Sequence, residues 1–254
     1  MINSKKALFF LVFLILGSIQ VEAQEKPNIL TKYNVLSGSL TYAFHRPRGD
    51  LADRFGPSLE VGLGAEFITK KSRFVFGLTG TIMFGNEVND DVLSIITNED
   101  GNIIGSTQIA GLVTLKQRGF YVGSHIGKIF KIKRNSLSGI RFTAGAGLLQ
   151  HKIRVQDDLE SINILAGDNV KGFDRLTNGL ALHQFLGYQH FGKSGLFNFF
   201  GGIEAYEGFT MSRRSFDNTL MRRDDRSRVD ILLGLKFGFA IKFNLNETGD
   251  EIYY

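Results

Sequence analysis

Residues 229–245, VDILLGLKFGFAIKFNL, alternate almost without a break. Val229, Ile231, Leu233, Leu235, Phe237, Phe239, Ile241, Phe243 and Leu245 are large and apolar. The positions between them hold Asp230, Lys236, Lys242 and Asn244, with Gly234, Gly238 and Ala240; Leu232 alone is out of phase. A period of two is that of a β-strand with one greasy and one polar face. Whether the greasy face meets a protein core or lipid decides what the chain folds into.

The first residues bear on that choice. Lys5 and Lys6 precede the apolar run ALFFLVFLIL (7–16), and GSIQVEAQ follows, with Val21 and Ala23 at positions −3 and −1 of a cleavage site before Gln24. This pattern predicts a secretory signal peptide over residues 1–23, since the run is well short of the roughly 20 apolar residues of a spanning helix. Residues 24–254 then form the exported domain. With no Cys in the chain, disulfides, a lipid-modified cysteine and thiol catalysis are excluded. Beyond the leader no apolar run is long enough for a spanning helix, so a membrane location requires a closed barrel. The basic balance is mild once Lys5, Lys6 and Glu22 leave with the leader. An exported chain without a basic fold motif argues against a nucleic-acid partner, and anionic lipid headgroups are the natural counterpart.

The period-two test predicts seven further strands, at residues 33–44, 58–67, 73–84, 118–130, 139–153, 180–191 and 196–211. The links alternate in length: 68–72, 131–138 and 192–195 are short, whereas 45–57, 85–117, 154–179 and 212–227 are long. Short turns on one side and long loops on the other mark an up-and-down outer-membrane barrel. The expected fold is all-β, an eight-stranded antiparallel up-and-down transmembrane β-barrel. An even strand number puts both termini on the short-turn side, in the periplasm. Asp100–Gly101 is a hairpin-turn signal inside the second long loop.

The polar face separates a membrane barrel from a soluble sandwich. Residues 58–67 set Leu59, Val61, Leu63, Ala65 and Phe67 against Glu60, Gly62, Gly64 and Glu66. Residues 139–153 set Ile140, Phe142, Ala144, Ala146 and Leu148 against Arg141, Thr143, Gly145 and Gly147. Glycine weakens a water-facing strand, but glycine beside charge suits the narrow interior of a small barrel. The greasy faces are therefore assigned to lipid. The sixth strand fits least well: Gln184 falls among Leu180, Leu182, Leu186 and Tyr188, and Phe185 on the other face, so a bulge or a shifted boundary is expected there.

On this phasing the lumen gathers Glu60, Glu66, Glu204 and Asp230 with Arg73, Arg141, Lys236 and Lys242, and Glu204 comes out nearly opposite Lys236. Charges of mixed sign in a narrow interior pair, because an unpaired buried charge is costly. An ion path or proton relay is the functional alternative to such a structural plug. Ser124 lies on the lipid face, while His125, His151 and His183 have inward parity, which leaves the serine without a base. The acidic pieces NDD (89–91) and NEDGN (98–102) lack the ligand spacing of a calcium loop. No metal and no cofactor is expected. The last long loop, SRRSFDNTLMRRDDRSR, carries Arg213, Arg214, Arg222, Arg223, Arg226 and Arg228. Guanidinium groups there suit lipopolysaccharide phosphates or a partner protein, while Asp217, Asp224 and Asp225 offer internal pairing.

The segments GDLADRFG (49–56), FGNEV (84–88), GFT ahead of an arginine pair, and RVDILLGLKFGF near the end resemble a largely uncharacterised family of small Bacteroidota outer-membrane barrels, OmpX-like in architecture. In that family the last strand continues through a proline to an aromatic end; here AIKFNL lacks the proline, and Tyr253 and Tyr254 keep the aromatic end. The resemblance implies an outer-membrane location and no known activity, with the prospect of a subunit in a larger export or assembly complex. Three readings follow. The leading one is a non-enzymatic barrel with a plugged lumen, in contact with outer-membrane lipids and lipopolysaccharide, acting through its surface loops. The others are an accessory subunit of a larger outer-membrane secretion or barrel-assembly complex, and an outer-leaflet lipid-modifying enzyme.

Overall fold

The computed structural model describes residues 34–69, 71–99, 102–103, 111–132, 138–159, 162–192 and 198–245. The expected leader, the Asp100–Gly101 turn and the aromatic end lie outside them. Eight strands follow in order: β1 (Asn34–Gly49), β2 (Ser58–Ile68), β3 (Phe74–Gly85), β4 (Val113–Lys131), β5 (Gly139–Asp157), β6 (Thr177–Phe191), β7 (Asn198–Ser212) and β8 (Ser227–Leu245). Each is antiparallel to its neighbours in the chain, and β8 pairs with β1 from Asn34↔Leu245 to Gly49↔Asp230, which closes the barrel. Stepping across paired residues from Leu36 gives Phe67, Phe76, Ile126, Ala144, Gln184, Ala205 and Leu233, and then Arg46, ten residues further along β1. A stagger of this kind tilts the strands and leaves an eight-stranded barrel just wide enough for side chains.

Closure leaves no unpaired edge, and the outward face is apolar. Leu63, Leu78, Phe237, Phe239 and Ile241 are each 60 to 68% exposed. A girdle of large apolar side chains on a closed barrel is what hydrocarbon accepts and water does not. The chain is a transmembrane barrel of the outer-membrane kind.

Several strands run beyond the spans that alternation predicts, chiefly at the end with the long connections. β4 begins at Val113 and β5 ends at Asp157, and these two residues pair with each other. Residues 113–117 have no lipid-facing requirement and so do not alternate cleanly, yet the ladder continues. β1 likewise passes through Arg46, Pro47 and Arg48 to Gly49, which brings His45 into the wall. β6 needs no bulge: its register is unbroken on both sides, from His151↔Thr177 to Gly139↔Gln189 and from Thr177↔Ser212 to Phe191↔Asn198. Phe185 points inward and is buried, and Gln184 points outward among the leucines.

Two apolar layers bracket the lumen. At the end where β1 begins and β8 finishes, Val35, Ile68, Val75, Ile129 and Phe191 pack together. At the other end, Leu51, Phe55, Val92, Leu93, Ile162, Leu165 and Phe173 come from the long connections and pack onto Met83, Tyr121, Leu149, Ile153, Tyr206 and Leu232 of the barrel. Phe237 stands on the outer face of β8, 60% exposed and paired with Tyr42. Phe237→Arg is expected to destabilise the barrel by about 2–4 kcal/mol, the cost of a cation facing mid-bilayer, measured by urea unfolding in lipid vesicles.

Candidate functional site

Between the apolar layers the lumen is polar, and its order can be read along β2: Ile68, then Glu66, then Glu60. Glu66 accepts from Arg141, whose Nη1 lies 3.0 Å from Glu66 Oε2 and 3.0 Å from Gln189 Oε1, while Nη2 bonds Glu66 Oε1. His125 Nε2 is 3.1 Å from the same carboxylate. The Arg141 guanidinium also lies over the rings of Phe200 and Phe185, at 4.8 and 5.6 Å from their centroids.

Nearer the long connections, Lys236 Nζ donates to Glu204 Oε2 at 2.8 Å and to Glu60 Oε1 at 3.1 Å. Glu204 sits opposite Gly234, so Lys236 reaches it from one pleat along β8. Glu204 also accepts from His45 at 2.8 Å and His183 at 2.9 Å. Tyr206 Oη donates to Glu60 Oε2 at 3.1 Å, and its ring stacks on His183 at 4.5 Å and meets Tyr121 edge-on at 4.9 Å. Above this group His151 Nε2 lies 2.8 Å from Asp230 Oδ2, which also accepts from Thr210 Oγ1 at 2.5 Å. Four of the five histidines therefore sit inside the barrel with Nε2 on a carboxylate. Glycine makes room for them: a Cβ on Gly234 would stand 2.3 Å from the His45 ring, and one on Gly77 would stand 2.5 Å from His125 Nε2.

Among the expected lumen charges, the structure brings Glu60, Glu204 and Lys236 into one group and Glu66 with Arg141 into another. Asp230 joins neither and pairs with His151. Arg73 lies buried in the turn before β3, with φ 56°, and its Nε and Nη1 bond nothing among the described residues. Lys242 reaches the Gly192 carbonyl at 3.1 Å. The donor atoms of His45, Glu60 and Glu204 converge within 4.8 Å, a spacing a metal ion could use. The Lys236 ammonium already bonds both carboxylates, so the chain supplies its own cation there. Ser124 faces outward between Leu78 and Ala146 on the neighbouring strands, away from every lumen histidine.

The loop arginines are mostly committed to ion pairs. Arg214 forks onto Asp174, with Nε at 2.8 Å. Arg228 pairs with Asp224 at 2.5 Å, Arg226 with Asp50 at 3.0 Å, and the exposed Arg223 with Asp225 at 2.8 Å. Arg213 Nε donates to Asn178 Oδ1 at 2.5 Å. Arg222 is exposed and has no ion pair among the described residues. Beneath them, buried Arg54 lies 3.8 Å from Asp90 and 3.7 Å from Asp224. Arg175 lies 3.1 Å from Asp90 and bonds Asp217. These contacts tie all four long connections together. Burial and the nearby Arg228 pull Arg54 down to about 10, which leaves it charged at neutral pH.

No protein-family model matches the chain, and neither does any curated protein. Among solved structures it is similar to Neisserial surface protein A (NspA), at 11% identity over 82% of this chain and 97% of that one, with a TM-score of 0.45. It is similar also to Ail, the attachment invasion locus protein of Yersinia pestis, at 14% identity over 82% and 99% of the two chains, TM-score 0.40. A structure of Ail in complex with the heparin analogue sucrose octasulfate matches at 15% identity over the same shares, TM-score 0.34.

Sequence reasoning missed His45, Tyr206, and the loop residues Arg54, Asp90, Asp174 and Arg175. Tyr206 is in phase with Glu204, already assigned inward, so its signal was present, whereas His45 fell in the link expected over 45–57. The loop residues carry no period, and only the folded connections bring them together.

Lys236→Met leaves Glu60 and Glu204 buried without their cation and is expected to cost about 3–5 kcal/mol. Adding Glu60→Gln and Glu204→Gln should recover most of that loss in the same urea titration. A second expectation concerns acid. Burial pushes the Asp224 carboxyl up, but its bonds from Arg228 and the Arg226 amide, with Arg54 nearby, outweigh this and hold it below the ordinary aspartate value. The folded carboxyl has the lower pKa, so its support of the loops is complete above that value and is lost as pH falls through the folded one. Loop amide protection, followed by NMR, should hold from pH 7 to 5 and fall only below about 4, with the strands still protected.

Proposed function

We propose that the chain is a non-enzymatic outer-membrane protein with a plugged lumen, its termini in the periplasm, that acts through the surface its outer connections build. The carrying observation is the filled interior: apolar layers at both ends, and between them carboxylates bonded to Lys236, Arg141 or a histidine. An eight-stranded barrel packed in this way leaves no aqueous bore. An ion path would need carboxylates free to exchange partners, and those of Glu60, Glu66 and Glu204 are each held by two or more groups. An outer-leaflet enzyme would need a base beside Ser124, and the four lumen histidines are on the other side of the wall.

The ligand class that suits the rim is the phosphate of lipopolysaccharide. A crevice of about 610 Å³ between the third and fourth long connections is lined by Arg213, Arg214, Asn169 and Asn218, and by Lys171 with its ion-pair partner Asp168. Arg222 and Arg223 stand exposed on the same final connection. Arginine forks match phosphate oxygens in pairs, and the outer leaflet supplies them at this level.

Two measurements test the reading. In planar bilayers the purified protein should give no sustained large conductance, and a steady open channel would overturn the plug. In nanodiscs, fluorescent lipopolysaccharide should bind with an affinity that falls with salt. Arg213→Ala combined with Arg222→Ala should weaken binding roughly five- to ten-fold, the loss of one or two charge-assisted contacts. Equal binding by the double variant would remove the rim from the site.

A further inference from the structure

The outer wall is not uniform. On β8 the lipid-facing positions are large, and Leu235, Phe237 and Phe239 stand beside Phe44, Tyr42 and Leu40 of β1. From β4 to β7 the wall thins. Ser124 pairs with Ala146, Ala144 pairs with Gln184, and Gln184 pairs in turn with Ala205. These five residues form one continuous outward patch of small or polar side chains. An open groove of about 810 Å³ runs across the wall from β1 to β5, takes in Ser124, Ala144 and Ala146, and ends one strand short of Gln184.

Gln184 gives the patch its chemistry. Along β6 it is flanked by Leu182 and Leu186, both exposed, so its carboxamide lies within the apolar band. It makes no hydrogen bond among the described residues. The alanines on either side offer it nothing to bond. A carboxamide carries two donors and an acceptor, and leaving them unmade in hydrocarbon is costly. An acyl chain can cover the small side chains beside Gln184 but cannot pair with its amide. The occupant must therefore bring a hydrogen-bonding group to the same depth in the membrane.

A carboxamide is complementary to itself. In a two-fold interface the same surface meets itself, and a residue near the axis faces its own copy. Small residues around it let two walls approach closely, as they do between membrane segments generally. We propose that a second copy of this chain docks on the β4–β7 face, with the two Gln184 carboxamides hydrogen-bonded across a two-fold axis. The inference rests on the membrane setting of the wall and is independent of the rim chemistry.

The chain has no cysteine, so single cysteines report cleanly. Ala205→Cys, Ala144→Cys and Phe237→Cys, each in intact outer membranes, are treated with a short bis-maleimide. Ala205→Cys and Ala144→Cys, which flank Gln184 and leave its carboxamide in place, should give a linked dimer of twice the chain mass, and Phe237→Cys, on the Phe-rich wall, should not. Monomer alone at all three positions, equal linking at all three, or a link to a chain of another mass would overturn the assignment. Gln184→Leu, a residue lipid accepts readily, provides the second readout. In nanodiscs its dimer fraction should fall roughly five-fold, the loss of the pair of membrane hydrogen bonds across the axis, with heat-modifiable gel migration unchanged to show an intact barrel. An unchanged dimer fraction would remove the carboxamide from the interface.

Discussion

The pairing of β8 with β1 is the contact on which the rest of this structure depends. It satisfies the two backbone edges that an open sheet would expose, and only then can a wall of leucine and phenylalanine lie in hydrocarbon. The same closure, through its ten-residue stagger, sets how wide the interior is. Because the interior is narrow, inward side chains must fill it, and because it is shielded from water, inward charges must find partners. The polar core is thus a consequence of closure as much as a feature added to it.

That core in turn guards the register. A strand shifted by one residue would carry its charges to the lipid and its phenylalanines to the lumen. On β8 the exchange would put Lys236 outside and Phe237 inside, and it would strip Glu60 and Glu204 of their cation. The ion pairs are weak evidence for net stability, since burying charge offsets much of what pairing returns. As a specification of which residues face one another they are strong. Apolar layers at either end keep the groups between them away from water, and the glycines opposite His45 and His125 admit rings where a methyl group would collide.

The fold was legible because lipid imposes a strict alternation on every spanning strand. The eight strands, the alternation of short and long links, and the inward set Glu60, Glu66, Arg141, Glu204 and Lys236 all follow from that period. Legibility stops where the lipid stops. β1 and β4 continue past the bilayer level with no alternation to reveal it, which hid His45. Gln184 seemed to call for a bulge only because a polar residue on the lipid face looks like a fault in the pattern; the ladder shows it to be in register. Arg54, Asp90, Asp174 and Arg175 belong to connections whose ion pairs join residues 36 to 170 positions apart, and no local pattern encodes such pairs.

The ion pairs among the long connections have a consequence for how this surface can change over time. Asp50, Arg54, Asp90, Arg175, Asp217 and Asp224 come from four stretches of chain, yet each holds a charge that another stretch answers. A reversal at one site leaves a like-charged neighbour behind, so lasting variation must arrive as matched exchanges between connections. Whatever binds at this end of the barrel meets a single composite surface rather than four independent loops. A peptide copied from any one of them would make a poor mimic of it.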